Sequence, residues 1–559
     1  MSTPRITLLC AALALSPGLA AASELLVTRF DDPVPNACSP RDCSLRSAVL
    51  AANASVKPVR ILLPSGTYQL SRKPLASQPN DDTRGALQLR ADMSLIGIGK
   101  TPSHLRWSAI AVGHAQPLIR VDTLGRKVSL EHLRISHGRN AWHGGCVQAG
   151  GGFGSLSLTR MILEQCQSEM SGGALFYYDG ALQLDDVVMQ GNSASHGGAM
   201  ALLRVQVSSS KTAVRGNQAI GTGGALAVGG NIWDSRNWVE WQALADTEFS
   251  NNAAGSHGGA ISLGMHNLRL SSSGKFRIVD NQAGNDGGAV SSLGNTMLAS
   301  GAVDITGLIF QGNRANLGGA LHVRRDLHVE NSWFSGNQAL AGGGGAIHLA
   351  DPGSALSVSN GTRLIAQTSF QGNLSLNGGA AVHNAGPDVH IENASFSSGQ
   401  RYQQLPGATA VYSIGSADLR HISVFEQSPL LLSPAMNRAL VKDYSTQFPT
   451  AQMRLSNSLV AELCHAPHGG IISLGGNQYG PRGWPCPQLP GLDQSVSGDN
   501  ALGVQIGSFG GAFPVVGWPS DGAHRPQRGL GRSEHCLPVD VRGMPRAAGP
   551  CDSGAFEQQ

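Results

Sequence analysis

The sequence predicts an all-β solenoid, and three observations lead to this fold class. One phrase returns about every 25 to 35 residues along the middle of the chain: an apolar residue, two positions, Asn, a short gap and then Gly-Gly-Ala. Glycine accounts for 73 of 559 residues without a period of three, and aromatic residues for only 5%. A repeat of this length is typical of a solenoid in which each repeat forms one turn. The scarcity of aromatic residues suits a narrow core of small aliphatic side chains.

Each coil is expected to contain two recognisable strands and an asparagine at a bend. One strand holds Gly-Gly-Ala, and the other alternates, as in Val303–Thr306, so that one of its faces points inward. Asparagine tolerates a left-handed bend, and its side-chain amide can bond to the asparagine of the next coil. The predicted structural ladder consists of Asn192, Asn217, Asn252, Asn281, Asn313, Asn337 and Asn373, with Cys166 at the same place in an earlier coil.

The chain is predicted to divide into four parts. These are a signal peptide over 1–22, an N-terminal cap with the first coils over 23–105, β-helix repeats over 106–475 and a C-terminal cap over 476–559. The basic Arg5, the apolar run Ile6–Leu15 and the small residues Ala20–Ala22 are typical of a Sec-type secretory signal. We therefore expect export to the extracellular space, the outer cell surface or the periplasm, with no transmembrane segment in the mature chain.

A short amphipathic helix is predicted within the N-terminal cap. Ser44 can cap its first turn. The apolar residues Leu45, Ala48, Val49 and Ala52 follow with helical spacing and share one face. Such a lid would cover the unpaired strand at the end of a solenoid, where exposed edges promote aggregation.

Eight cysteines remain once a signal peptide containing Cys10 is removed. An even number in an exported chain favours disulfides. Neighbour pairing would join Cys38 to Cys43, Cys146 to Cys166, Cys464 to Cys486 and Cys536 to Cys551, although spacing alone leaves other connectivities open. No pair shows zinc-ligand spacing with histidine, so the sequence predicts no metal site and no cofactor.

The charge composition argues against a nucleic-acid partner. Lysine and arginine total 40 residues against 37 aspartates and glutamates, and the formal net charge is +3. No basic run stands out, so the chain lacks the electrostatic signature of a nucleic-acid-binding protein. With 14% charged residues, the surface is expected to be rich in uncharged polar side chains.

The repeats resemble those of the chlamydial polymorphic outer-membrane proteins. The Phe-x-x-Asn and Gly-Gly-Ala-apolar phrases carry the resemblance, as in Phe249–Asn252 with Gly258–Ile261 and in Phe310–Asn313 with Gly318–Leu321. Those proteins are right-handed parallel β-helix passengers involved in adhesion. The resemblance therefore implies a right-handed parallel β-helix, with the pectate-lyase-like solenoid architecture, and a place at the cell surface.

Two further resemblances lie at the ends of the mature chain. Cys43–Ala48 is similar to the CSLREA motif of exported bacterial proteins, with Ser47 in place of the glutamate. Asp540–Arg546 and Cys551–Glu557 resemble the C-terminus of the choice-of-anchor Q β-helix proteins. Both imply an exported β-helix, and neither implies a reaction. An irregular C-terminal cap stapled by disulfides is expected.

Two histidines at equivalent positions of consecutive coils form a candidate ligand site. His322 and His348 each follow Gly-Gly-Ala and one apolar residue, so stacking would place them roughly 5 Å apart. Such a column could bind a metal ion or an anionic sugar. Alternatively it is an exposed polar column, continued by Ser262 and Ser291 in earlier coils. His383 is expected to lie one residue out of this frame.

Three tryptophans form a second candidate ligand site. Trp233, Trp238 and Trp241 fall in the long interval between two Gly-Gly pairs, where extra residues indicate a protruding loop. Exposed indole rings could stack on sugar rings. Alternatively the three side chains pack on the flank of the solenoid, as large aromatic residues usually do.

Three classes of function are compatible with the sequence. The favoured one is a non-catalytic, adhesin-like surface protein that binds an extracellular glycan or a host or cell-surface protein. A polysaccharide lyase or glycoside hydrolase is suggested by fold analogy. Such enzymes need carboxylates or calcium with a Lys or Arg base in one groove. Only Lys211 and Lys275 lie between residues 144 and 425, and no catalytic set stands out. The third class is a structural envelope protein.

Overall fold

The chain folds into a long parallel β-helix. The computed structural model describes residues 23–75, 81–108, 116–229, 238–264, 266–292, 302–324, 326–350, 362–386, 388–397, 410–425, 430–432, 452–460, 464–465, 471–480, 488–495, 505–517, 529–546 and 549–557. Within these residues a 39-stranded sheet and a nine-stranded sheet are parallel throughout, which confirms the predicted solenoid. The expected signal peptide lies outside the described residues.

Each complete coil contributes strands to three faces of the helix, which we call faces A, B and C. Face A contains Leu87–Leu89, Ile119–Asp122, Leu226–Val228, Ile261–Leu263, Val290–Ser292, Leu321–Val323, Ile347–Leu349, Val382–Asn384, Val411–Ser413, Leu430–Leu432 and Cys464–His465. Face B contains Ser23–Leu26, Val59–Leu63, Met93–Gly97, Lys127–Glu131, Trp238–Ala243, Leu327–Glu330, Arg363–Ala366, Val389–Glu392, Ala417–Arg420, Met453–Ser456 and Ile471–Ser473. Face C contains Thr67–Leu70, Ser103–Trp107, Leu133–Ser136, Thr212–Arg215, Thr247–Ser250, Trp333–Ser335, Ser369–Gln371, Ser395–Ser397, Ser423–Phe425, Leu459–Val460, Gln478–Tyr479 and Gln494–Ser495.

Some strands bend around the corners between faces. Val147–Glu164 and Leu175–Gln190 run through all three faces, Met200–Ser210 through A and B, and Asn267–Val279 and Val303–Gln311 through B and C. A fourth set of short strands, which we call the D ladder, forms the nine-stranded sheet. It consists of Arg139–Asn140, Gln167–Ser168, Ser193–His196, Gln218–Thr222, Ala253–Ala254, Gln282–Ala283, Arg314–Ala315, Gln338–Ala339 and Leu374–Ser375.

The core between the faces is a continuous stack of equivalent side chains. On face C the rings of Phe310, Phe334, Phe370 and Phe396 follow one another with centroids 4.7, 5.1 and 5.1 Å apart. These side chains are at most 1% exposed. The apolar residue three positions before each ladder asparagine therefore lies inside the helix.

The asparagines form a continuous hydrogen-bonded ladder at the corner between face C and the D ladder. In a typical rung, the backbone N–H and Nδ2 of Asn252 both donate to Oδ1 of Asn281, at 2.9 Å each. The Asn281 amide repeats this pattern toward Asn313. The same contacts run from Asn192 to Asn373, and the backbone N–H of Cys166 donates to Oδ1 of Asn192.

The expected left-handed conformation belongs to a different residue from the one predicted. The positive φ lies at the position before each ladder asparagine: Gly191, Gly216, Asn251, Asp280, Gly312, Gly336 and Gly372. Glycine, asparagine and aspartate are the residues that tolerate this conformation. The prediction that the ladder asparagine itself makes the bend is therefore wrong, and its amide is free to serve the ladder.

The N-terminal helix α1, Leu45–Asn53, forms as predicted. Ser44 is its N-cap and accepts a hydrogen bond from the backbone N–H of Ser47. At the other end, the Asn53 side chain donates to the carbonyl of Gln88 and accepts from the N–H of Arg90. These bonds replace a neighbouring strand along the free edge of Leu87–Leu89, so α1 closes the N-terminal end of face A.

The C-terminal segment folds back along the outside of face C. By this name we mean residues 505–517, 529–546 and 549–557, which include the antiparallel strands Gln505–Gly507 and Val515–Gly517 and the 3₁₀ turn Ser533–His535. Outward-facing serines receive it: Ser369 donates to Pro514 O, and Ser395 and Ser423 accept from Val516 N and Ala555 N. Serine is small enough to let a second backbone approach the sheet.

Buried charges hold the C-terminal segment together. Arg546 pairs with Glu557 at 2.8 Å, with both side chains at most 4% exposed, and also donates to Oδ1 of Asn393 on the helix. Arg542 pairs with Asp540. Three of the predicted disulfides are confirmed: Cys38–Cys43, Cys146–Cys166 and Cys536–Cys551. Cys486 and the side chain of Cys464 lie outside the described residues.

Substituting one ladder asparagine tests how strongly the ladder supports the fold. We expect Asn281→Ala to lower the free energy of unfolding by roughly 2 to 4 kcal/mol, because it removes the acceptor of the buried Asn252 N–H and the side-chain donor to the Phe249 carbonyl. Asn285→Ala is the control, because that side chain is exposed and bonds to Ser256. Denaturant unfolding of both variants checks this, and equal effects would contradict it.

Candidate functional site

An open cleft lies beside the N-terminal half of the D ladder. Its volume is about 490 Å³. The lining residues are Arg139, Asn140, Ala141, Gln167, Ser168, Glu169, Ser193, Ala194, Ser195 and Ile220. They belong to four successive coils, so the long axis of the cleft follows the axis of the β-helix.

The strand register aligns the polar side chains of the D ladder in one outward column. Parallel pairing places Arg139, Gln167, Ser193, Gln218, Ala253, Gln282, Arg314, Gln338 and Leu374 one above another. The residue after each of these is buried, because strand side chains alternate. Four glutamine amides and one serine hydroxyl are thus presented at a repeat of about 4.8 Å. Such groups both donate and accept hydrogen bonds.

An exposed tryptophan that carries no signal in the sequence directly follows one of the cleft residues. Trp142 directly follows the cleft residue Ala141, and 65% of its surface is exposed. Its backbone N–H donates to Oδ1 of Asn140 at 3.1 Å, and its carbonyl accepts from Met170 N, so its main chain is held by two coils. An indole ring next to a polar cleft is suited to packing against the flat face of a sugar, with the neighbouring polar groups bonding to its hydroxyls.

The structure separates the three tryptophans of the predicted platform. Trp233 lies outside the described residues. Trp238 is half-buried on the outer side of face B, whereas Trp241 points inward and is 0% exposed. The Trp241 indole N–H donates to Ser209 Oγ at 2.8 Å, and its ring packs against Phe249. The prediction that Trp241 binds a ligand is therefore wrong, because residues three apart on a strand face opposite sides.

The histidine column exists, but it is buried rather than exposed. His322 and His348 stack with ring centroids 4.9 Å apart, and they are 3% and 7% exposed. His383 pairs with His348 in register, and its ring lies 5.0 Å further on. The prediction that His383 lies out of frame is therefore wrong. The register also aligns Ser262 and Ser291 with this column, as expected.

Loops before the Gly-Gly pairs cover this column. A Cβ atom added at Gly343 would lie 1.7 Å from Nδ1 of His383, and one at Gly378 would lie 2.7 Å from the ring of Tyr412. This close cover leaves no surface for a sugar chain at His322 and His348. A role of the pair in metal binding stays a prediction.

Burial keeps the stacked histidines neutral. It lowers the pKa of His322 and of His383 to about 4, and that of His348 well below its usual value. Among the described residues, neither ring nitrogen of His322 has a hydrogen-bond partner. The nearby carboxylate of Asp286, whose Oδ2 lies 3.1 Å from Nδ1 of His257, opposes this lowering of the pKa of His322 without reversing it.

Two carboxylates on the outer side of face B share one arginine. Arg269 bridges Glu240 at 3.2 Å and Asp304 at 3.1 Å, and Nδ1 of His328 lies 3.4 Å from Asp304. These ion pairs tie three consecutive coils together, since opposite charges lie side by side.

The geometry defines a parallel β-helix with a polar lateral cleft. Residues 246–264 match the model of the Chlamydia polymorphic membrane protein repeat, which supports the resemblance of the repeats and points to association with the cell surface or outer membrane. A comparison with curated protein sequences gave no match. Within the described part of the chain, no helix has the length and apolar character needed to cross a membrane.

The buried histidine column predicts a loss of stability in acid. The folded-state pKa of His322 is about 4 against 6.5 for the free side chain, so the unfolded chain binds the proton first. Stability should be constant above about pH 6.5 and fall between pH 6.5 and 4, by up to roughly 3 kcal/mol for this residue. Thermal unfolding across this pH range measures the effect.

The control for this prediction is a variant in which the histidines are replaced by the residue of the preceding coils. His322→Ser with His348→Ser mimics Ser262 and Ser291 and removes two of the titrating groups. Its stability should change less between pH 6.5 and 4 than that of the original chain. Parallel pH profiles for the two proteins would show that other groups cause the acid sensitivity.

Proposed function

We propose that this protein is a non-catalytic, surface-exposed binding protein whose ligand is an extended, uncharged glycan. The observation that carries the proposal is the cleft along the D ladder, bordered by Trp142 and lined by polar side chains from consecutive coils. A linear polysaccharide can lie along the helix axis and meet polar side chains of three successive coils, Arg139, Gln167 and Ser193. An adhesin-like role follows from binding such a chain on another cell or in a matrix.

The charge of the cleft supports an uncharged ligand. Its lining includes one arginine and one glutamate, Arg139 and Glu169, and otherwise glutamine, asparagine, serine, alanine and isoleucine. An acidic polysaccharide would call for an excess of basic side chains, because charge complementarity governs the encounter of charged partners. Amide and hydroxyl groups instead match the donors and acceptors of neutral sugars.

The repeat match supports the surface location. Residues 246–264 contain a ladder asparagine, a D-ladder strand and a Gly-Gly-Ala strand, so the match covers one corner and its adjoining strands in a single coil. Proteins built from such repeats belong to the bacterial outer-membrane type. The lateral cleft is then available to ligands outside the cell.

Replacing Trp142 tests the proposed glycan site. The mature chain is titrated with soluble neutral polysaccharides, including β-linked glucans and galactomannan, and with polygalacturonate as an acidic comparison. We expect a neutral chain to bind, and Trp142→Ala to weaken its binding roughly 10-fold, the equivalent of one aromatic stacking contact. Calorimetry or affinity electrophoresis measures the change.

Phe153→Ala provides the matched control. Phe153 is 92% exposed and belongs to the next coil, but lies in a strand of the 39-stranded sheet and outside the cleft lining. Its replacement should leave affinity unchanged. Equal losses in both variants, or binding of the acidic chain alone, would contradict the proposal. The appearance of new reducing or unsaturated chain ends during incubation would favour a polysaccharide-cleaving enzyme instead.

A further inference from the structure

One histidine of the β-helix lies against a disulfide of the C-terminal segment. Nε2 of His421 is 3.6 Å from Sγ of Cys551, which is bonded to Cys536. The three ligand atoms lie within 4.8 Å of one another. His421 and Cys551 are both 0% exposed, and Cys536 is only partly buried. Among the described residues, this cluster is the one group of three metal-ligating side chains whose ligand atoms lie this close together.

The imidazole of His421 is oriented like that of a metal ligand. Its Nδ1 lies 3.2 Å from the carbonyl oxygen of Gly554, which can only accept, so the proton is assigned to Nδ1. The lone pair of Nε2 then faces the sulfur atoms. Histidines that bind metals commonly donate their other N–H to a carbonyl in this way, which fixes both the tautomer and the ring.

An asparagine side chain lies beside the histidine and the sulfur atoms. The Asn457 amide lies 3.3 Å from Nε2 of His421 and 3.5 Å from Sγ of Cys551, and it also donates to the carbonyl of Arg532. The Asn457 amide lies on the polar side of the cluster. If it turns away from Nε2 of His421 and Sγ of Cys551, its hydrogen bond to the Arg532 carbonyl remains.

Among the described disulfides, Cys536–Cys551 is distinguished by the imidazole beside it. Sγ of Cys43 approaches the carbonyl of Ser44, and Sγ of Cys166 approaches those of Ile135 and Glu164. Sγ of Cys536 likewise approaches the carbonyls of Arg532 and Gly549, but Sγ of Cys551 also lies beside Nε2 of His421. Zinc and similar ions prefer nitrogen and sulfur ligands to carbonyl oxygen.

We propose that the reduced protein binds a thiophilic divalent cation of the zinc class through His421, Cys536 and Cys551. A dithiol reductant supplies two electrons and two protons, which break the Cys536–Cys551 bond, and itself closes to a disulfide. Binding of the cation then releases the two thiol protons. Three protein ligands leave a fourth tetrahedral position for water. The metal takes the place of the disulfide as the cross-link between Cys536 and Cys551. Through His421 it also keeps the C-terminal segment attached to the β-helix.

Cobalt(II) is the probe for this site. The mature chain carries Cys38→Ser, Cys43→Ser, Cys464→Ser and Cys486→Ser, so that Cys536–Cys551 is the accessible disulfide beside the fully buried Cys146–Cys166. After reduction by a phosphine and its removal, we expect one equivalent of cobalt to give thiolate charge-transfer absorption and the visible bands of a tetrahedral ion. Zinc should displace it. The oxidised protein should give neither signal.

His421→Gln should weaken cobalt binding on the order of 100-fold, as expected for the loss of one of three protein ligands. His535→Gln is the matched control, because His535 precedes Cys536 in the chain but is not part of the cluster. Absence of the absorption after reduction, or equal affinity in His421→Gln and the parent chain, would overturn the proposal.

A second comparison keeps the test valid if the fourfold serine variant does not fold, which circular dichroism would reveal. The reduced wild-type chain is then compared with Cys536→Ser alone, and the charge-transfer absorption should fall in the variant. An unchanged signal would mean that other cysteines bind the cobalt and would also overturn the proposal. Neither experiment depends on the proposed glycan site.

Discussion

Hydrogen bonding between successive coils is the constraint on which the whole molecule depends. Each ladder asparagine bonds to the coil on either side, through its own N–H and amide in one direction and its carbonyl oxygen in the other. A single coil cannot satisfy these groups, so it is stable only within the stack. The ends must then be closed. Asn53 of α1 does this for the first strand of face A by bonding to the backbone where a further strand would lie.

The faces of the helix are consequently used in different ways. Face C receives the C-terminal segment on outward-facing serines, and the column on face A is covered by the loops before the Gly-Gly pairs. The column of charges on face B is paired between coils. The D ladder differs from these, because its outward residues Arg139, Gln167 and Ser193 line an open cleft. We therefore propose the ligand site on the D ladder, because faces A and C are covered and the charges on face B are paired.

Strand geometry explains why the candidate sites were only partly predictable. The three-residue spacing of Trp238 and Trp241 already implies opposite faces if both lie on one strand, but the long interval between the Gly-Gly pairs indicated a loop there. The histidine column followed from repeat alignment, whereas its burial depended on loops contributed by other coils. Trp142 carries no local signal, and only its position after Ala141, at a cleft formed by four coils, draws attention to it.

The sequence by itself determined the stacking of coils and the capping helix, because each depends on repeated or neighbouring residues. It left several disulfide connectivities open, and the structure confirms neighbour pairing for three of them. Only the tertiary structure decided which sides of the helix are open. The path of the C-terminal segment rests on contacts such as Arg546 with Asn393, which are 153 residues apart. The approach of His421 to Cys551 spans 130 residues. Local patterns report nothing about such distant contacts, since these form only when the coils are stacked.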